Sequence, residues 1–287
     1  MSDLYFPIAG VAEPAPPRLP CGLGVGIPWQ DRGITGDHAA HLGATWYFDW
    51  GKADSKDHPL KWPAFWNPHQ TRYLWGLVRQ WAAGGKIPLA YNEPDYNDIS
   101  PVDAAAAMRE WNAPFIGFGC IVRTEGLAWM DRYQDAGGPR PLAWHIHIYP
   151  FDQFAPRQRA HVTDAWKDLH EWAQEWNQRR GGGLPLIVTE TNAVGTRSVR
   201  DQIAVLHEIR YALDRGELRA AAWYDIRGLG WDADQDRAMW LIGEDGEPTD
   251  LGREFQRAAA SVNRGARFTA AAALPPSGFD TRASANS

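Results

Sequence analysis

Eight short apolar runs recur along the chain, and a stretch with helical spacing follows most of them. This alternation limits the fold more than any other feature. The runs cover residues 23–27, 44–48, 62–66, 87–91, 115–121, 142–149, 184–189 and 218–223. The third is the weakest, because Pro63 has no N–H to give to a ladder. The clearest helical stretch is 162–176. There Val162, Trp166, Leu169, Ala173 and Trp176 form one stripe opposite Asp164, Lys167, Asp168, Glu171 and Glu175. Another opens at Ser100, an N-cap hydroxyl, with Pro101 in the first position and Asp103 in the third. Further helical pattern covers 69–83, 127–135, 198–213 and 250–260, and glycines 84–85 and 181–183 end two of these stretches.

Strands that alternate with helices must pair in parallel, since each crossover returns the chain to the same end of the sheet. Eight such units predict an α/β chain closed into a (β/α)8 TIM barrel, in a single domain over residues 21–263. Residues 1–20, with four of their prolines between 14 and 20, read as a stiff lead-in, and 264–287 as an Ala/Ser-rich tail. An open doubly wound sheet would carry a glycine-rich turn running directly into a helix. Gly22, Gly24 and Gly26 have no helical pattern directly behind them.

The chain has 287 residues, 44% of them hydrophobic and 22% charged, which is enough for a sizeable core and excludes a disordered chain. Lys and Arg number 29 against 35 Asp and Glu. That balance leaves no footprint for nucleic acid or an anionic membrane. No apolar run is long enough to span a bilayer, and residues 1–10 lack the basic and apolar regions of a signal peptide. Cys21 and Cys120 are too few for a disulfide framework or a thiolate zinc site, and read as free thiols.

Tryptophan is the outlier, with 16 residues beside 9 Tyr and 10 Phe. Flat aromatic platforms suit sugar rings, nucleobases or quaternary amines. The missing basic charge counts against nucleobases, so sugars come first. Trp46 and Trp50 flank Asp49 after the second run, and Trp223 ends the eighth. Trp62, Trp66 and Trp231 fall in expected loops. Trp75, Trp81, Trp111, Trp129, Trp166, Trp172 and Trp176 lie in helical pattern and read as packing against the barrel.

Active-site groups of a barrel stand at the C-terminal ends of its strands. The fourth run ends Tyr91-Asn92-Glu93-Pro94-Asp95 and the seventh Val188-Thr189-Glu190. Side chains alternate along a strand, so Leu89, Tyr91 and Glu93 are expected on one face, and Leu186, Val188 and Glu190 on another. Asn92 needs a local bulge to join Glu93. Each glutamate alone could be a solvated strand end. Two at the ends of different strands supply the acid/base and nucleophile of a retaining glycosidase. The sixth run places His145, His147 and Tyr149 on one face. His147 and Tyr149 are read as orienting the nucleophile and touching sugar hydroxyls. Metal ligation by His145 and His147 and a packed core histidine at 145 are the rival readings.

In order along the chain, these motifs resemble glycoside hydrolase family 128 of clan A, the glycosyl hydrolase catalytic-core family. Residues 89–95, LAYNEPD, followed by 100–105, SPVDAA, are similar to its NEPD … SPEEAA signature. Residues 45–51, TWYFDWG, resemble its tryptophan-rich second strand, His147-Ile148-Tyr149 its His-Trp-Tyr, and Val188-Thr189-Glu190 its Val-Thr-Glu. The resemblance spans about residues 23–260. Ile148 stands where the family has Trp, and the third run departs from the family's pattern. The resemblance implies a retaining endo-acting β-1,3-glucanase with Glu190 as nucleophile, Glu93 as acid/base and Asn92 on the sugar 2-hydroxyl. Sugar contacts fall to His147, Tyr149, Trp46, Trp50 and Trp223. No cofactor or metal is expected. The expected partner is a β-glucan, the expected state a monomer, and the setting that suits such a substrate is extracellular. The alternatives are a carbohydrate-binding barrel without turnover and a metal-dependent hydrolase built on His145 and His147.

Overall fold

The structure is a computed structural model. It describes residues 17–28, 33–50, 58–68, 76, 84–150, 161–194, 196, 198–227 and 237–269, with side chains through 262. Most of the lead-in, nearly all of the 69–83 helical stretch, Trp75, Trp81 and Trp231, and residues 270–287 lie outside the described residues.

Seven strands form one parallel sheet: β1 (Gly22–Gly26), β2 (Trp46–Phe48), β3 (Leu89–Asn92), β4 (Ile116–Ile121), β5 (Trp144–Ile148), β6 (Leu186–Thr191) and β7 (Ala220–Trp223). Their spatial order is β2-β1-β7-β6-β5-β4-β3. The third apolar run joins the two edges without becoming a strand. Lys61 bridges Tyr47 of β2, and Ala64 bridges Leu89 of β3. The Trp62 N–H donates to the Tyr47 carbonyl at 2.7 Å, and the Leu89 N–H donates to the Pro63 carbonyl at 2.9 Å. Pro63 can accept but not donate, so pairing stops at single bridges. The ring is nevertheless complete, and the fold is the expected TIM barrel.

The helices are α1 (Gly36–His41), α2 (Pro101–Trp111), α3 (Thr124–Asp135), α4 (Val162–Trp176), α5 (Val199–Asp214) and α6 (Asp250–Thr269). The Ser100 hydroxyl accepts the Asp103 N–H at the start of α2, as its sequence position requires. The last helix continues past residue 260 as far as Thr269, into the first residues of the expected tail. Among the described residues, no helix is long and apolar enough to cross a membrane. Cys21 and Cys120 are both free.

Two apolar layers separate the faces of the sheet. Trp46, Phe48, Leu89, Ile116, Ile187, Ala220 and Ala222 fill the barrel. Tyr47, Tyr91, Phe118, Trp166, Leu169, Val188 and Trp223 pack in the layer that includes the helices. Tyr91 and Val188 therefore do not share the inner face with the glutamates that follow them. Bulges account for the difference. Between β5 and β6 the register steps from Ile146 opposite Val188 to His147 opposite Glu190, which leaves Thr189 over. β3 shifts register on both sides of Ala90, and Tyr91 and Glu93 have φ of 38° and 42°. A bulge re-aims the next side chain, so both glutamates turn inward despite their outward-facing neighbours.

Candidate active site

Three strand ends and one turn build a polar cluster over the apolar filling of the barrel. β5 contributes His147 and, just beyond it, Tyr149. Glu190 comes from β6, Glu93 from the end of β3, and Trp50 from the turn after β2. Trp50 has a φ of 53°, a conformation that costs a non-glycine residue energy and clusters at functional sites. Its indole N–H donates to Glu190 Oε1 at 2.5 Å. The Tyr149 hydroxyl donates to Glu190 Oε2. His147 stands between the glutamates, with Nδ1 3.0 Å from Glu93 Oε1 and Nε2 3.6 Å from Glu190 Oε1. Two glycines make room. A Cβ at Gly26 would lie 2.7 Å from the Trp50 ring, and one at Gly119 would lie 2.7 Å from His147 Nε2.

The two carboxylates differ in access. Glu190 is 4% exposed and Glu93 18%, so Glu190 is the inner group and Glu93 faces the mouth. The turn after Glu93 is clamped in place. Asp95 accepts the Ile121 N–H and the Arg123 guanidinium at 3.2–3.3 Å. The Asn97 amide donates to the carbonyls of Asn92 and Glu93. Burial raises the Asp95 pKa and Arg123 opposes it, with a net upward shift.

Burial raises the Glu190 pKa, and the charge of Glu93 adds to that, while His147, Tyr149 and Trp50 pull it back; the net direction is up. Burial alone would lower the His147 pKa, but Glu190, Glu93 and Asp95 outweigh it and the net shift is upward. Burial also pushes the Tyr149 hydroxyl well up, so it remains an O–H donor. His145 lies deeper. Burial, with the charge of His147, lowers its pKa to about 3, so it is neutral. Its Nδ1 meets the Thr189 hydroxyl at 2.9 Å and its Nε2 the Ala90 carbonyl at 2.7 Å.

One carboxylate oxygen of Glu93, one of Glu190 and one nitrogen of His147 lie within 4.8 Å of one another. That is also the spacing of a metal-ligand set. However, both Glu190 oxygens already accept hydrogen bonds and Glu93 is paired with His147, so the donor set is satisfied as an acid–base cluster. His145 and His147 do not converge as metal ligands, because both ring nitrogens of His145 are taken by Thr189 and Ala90.

The expected residues divide into two groups. Glu93, Glu190, His147, Tyr149 and Trp50 converge. Asn92 is half-buried and lines a recess with Trp50, Trp66 and His145. Trp46 and Trp223 do not reach the mouth. Trp46 is 1% exposed inside the barrel, its N–H directed at the Gly22 carbonyl. Trp223, also 1% exposed, lies in the outer layer and donates to the Met239 carbonyl at 2.9 Å. Ala220 and Ala222 face inward, so alternation sends Trp223 outward and brings Tyr224 in. Tyr224 is half-buried, with its ring 5.7 Å from Trp50 and 5.9 Å from Tyr149. It was missed because three alanines before Trp223 offer no contrast between the faces. A wider hollow at the opposite end of the strands is lined by Cys21, Asn177, Leu184 and Arg219, and none of the clustered residues borders it.

Two carboxylates at the mouth of a parallel barrel, one buried among donors and one facing the opening, are the architecture of a glycoside hydrolase. The family profile described as glycosyl hydrolase catalytic core matches residues 26–255, and the chain belongs to that family. A search of the curated proteins found no match. Among solved structures, the chain is similar to a subgroup II endo-β-1,3-glucanase of glycoside hydrolase family 128 from Sorangium cellulosum. The identity is 19% and the TM-score 0.64, over 83% of this chain and 98% of the other. A subgroup I endo-β-1,3-glucanase from Amycolatopsis mediterranei, in complex with laminaritriose, matches at 18% identity and TM-score 0.61, over 83% and 99%. A subgroup VI exo-β-1,3-glucanase from Aureobasidium namibiae matches at 18% identity and TM-score 0.59, over 74% and 85%.

Proposed function

We propose that the chain hydrolyses a β-1,3-linked β-glucan by double displacement, cutting within the chain, with Glu190 as nucleophile and Glu93 as acid/base. The observation that carries this reading is the proximity of the two carboxylates, with one oxygen of each no more than 4.8 Å apart. Retaining enzymes hold the pair about 5–5.5 Å apart, while inverting enzymes leave about 6.5–9.5 Å for a water. The linkage rests on the neighbours' printed activities, and the half-buried Trp66 and Tyr224 support a sugar-stacking rim.

In the first step Glu190 attacks the anomeric carbon while Glu93 gives its proton to the leaving oxygen. The Trp50 and Tyr149 donors keep the buried carboxylate ionised and aimed. The glycosyl ester then removes the negative charge of Glu190. Glu93, now a carboxylate, takes a proton from water, whose oxygen displaces Glu190 from the sugar. In this reading Asn92, in the recess beside Trp50 and Trp66, contacts a sugar hydroxyl, and His147 orients the two carboxylates.

The test is a screen of β-glucans of different linkage, with product size and initial anomer read by NMR. Hydrolysis of β-1,3-glucan to mixed oligosaccharides with β-anomer first supports the proposal. Binding without hydrolysis would leave a carbohydrate-binding barrel, and loss of activity with a chelator would indicate metal chemistry.

A further inference from the structure

We propose that His145 is a positioning residue, a crosspiece that sets the spacing of the strands bearing Glu93 and Glu190. This rests on the catalytic reading above. The ring of His145 reaches across the inside of the barrel from β5. On one side it meets the Ala90 carbonyl of β3, on the other the Thr189 hydroxyl of β6. Gly119 of β4 leaves the space it needs, since a Cβ there would lie 2.8 Å from His145 Cε1.

Both contacts fall where the ladder is interrupted. β3 shifts register on each side of Ala90, and the β5–β6 register skips Thr189. In a regular sheet the backbone ladder fixes where the next side chain stands. At a bulge it does not, and here each bulge lies directly beneath a glutamate. One side chain thus ties together the two irregular points whose separation decides between attack and no attack. Chemistry also fixes its tautomer. A carbonyl can only accept, so Nε2 carries the hydrogen, and Nδ1 accepts from the Thr189 hydroxyl. The low pKa of His145 keeps that arrangement neutral throughout the working range of a glycosidase.

His145→Ala would confuse lost folding with lost positioning, so Thr189 is the end to cut. Thr189→Val keeps the shape and removes the hydroxyl, while Thr189→Ser restores it. For Thr189→Val we expect kcat to fall about 10–100-fold with KM within about twofold. The acid limb of kcat/KM should move to higher pH as Glu190 loses alignment with its donors, and Thr189→Ser should recover most of both. A Thr189→Val enzyme with unchanged kcat and unchanged acid limb overturns the inference, as does a loss matched by the loss of folded protein. A second readout is independent of any glucan. Long-range 1H–15N correlation should show His145 as the neutral Nε2–H tautomer from pH 5 to 8, with altered nitrogen shifts in Thr189→Val. Another tautomer overturns the crosspiece, whereas an inactive wild type with the expected His145 signal overturns only the catalytic reading.

Discussion

His147 Nδ1 stands 3.0 Å from Glu93 Oε1, and the same ring presents Nε2 to Glu190 at 3.6 Å. A single imidazole therefore senses both carboxylates, and its positive charge lowers the pKa of Glu190. Replacing it removes that charge. In His147→Asn the Glu190 pKa should rise further, so the acid limb of kcat/KM shifts to higher pH, with kcat down about 100-fold or more. The check is a pH–rate profile. An acid limb that stays put or moves down would separate His147 from the ionisation of Glu190.

The upward shift of Glu190 also has a consequence for stability. Because its folded pKa lies above the unfolded value, the folded state binds more protons than the unfolded one in that window. Stability is therefore greatest below the unfolded pKa and falls as pH rises through the folded pKa. At neutral pH the ionised group opposes folding. Glu190→Gln should abolish turnover and raise Tm at pH 7 by a few degrees, with the gain vanishing near pH 4. Thermal unfolding at both pH values checks this. A lower Tm at pH 7 would mean that the hydrogen bonds of the carboxylate outweigh its burial.

Neighbours in sequence, Trp223 and Tyr224 lie on opposite faces of the sheet. Trp223→Ala empties a fully buried site and should destabilise the protein by about 3–5 kcal/mol. Tyr224→Ala, at the mouth beside Trp50, should leave Tm nearly unchanged and lower kcat/KM on β-glucan about tenfold or more. Calorimetry with kinetics on both variants decides it. A Trp223→Ala enzyme that is stable but inactive would restore the tryptophan as a platform.

The barrel was legible because burial repeats along the chain as alternating short and long apolar segments. The third apolar run was only half legible. Its place in the ring depends on backbone bonds at Leu60, Trp62, Pro63 and Phe65, and side-chain patterning does not report those. Glu93 and Glu190 were found at the right ends for an incomplete reason. Strict alternation from Tyr91 or Val188 would turn them outward, and bulges, which leave no mark in hydropathy, turn them in. His145, His147 and Tyr149 follow alternation without interruption, so their shared face could be read directly. Trp46 and Trp223 show the limit of composition. An indole at a strand end serves the core as readily as a sugar: Trp46 faces inward and Trp223 outward, and both are fully buried.

The roles of the two glutamates carry the whole account, and azide rescue tests them most directly. With Glu93→Ala and a β-glycoside bearing a good leaving group, the first step needs no acid and a glycosyl-enzyme should accumulate. Azide, entering from the face that Glu93 serves, should restore turnover and give the β-glycosyl azide. Glu190→Ala should lose the first step for every substrate, and azide in the vacated space should give the α-glycosyl azide. The anomer of each adduct is read by NMR. A β-azide from Glu93→Ala and an α-azide from Glu190→Ala are the results the account requires. The opposite anomers, or near-normal hydrolysis by Glu190→Ala without azide, would contradict it.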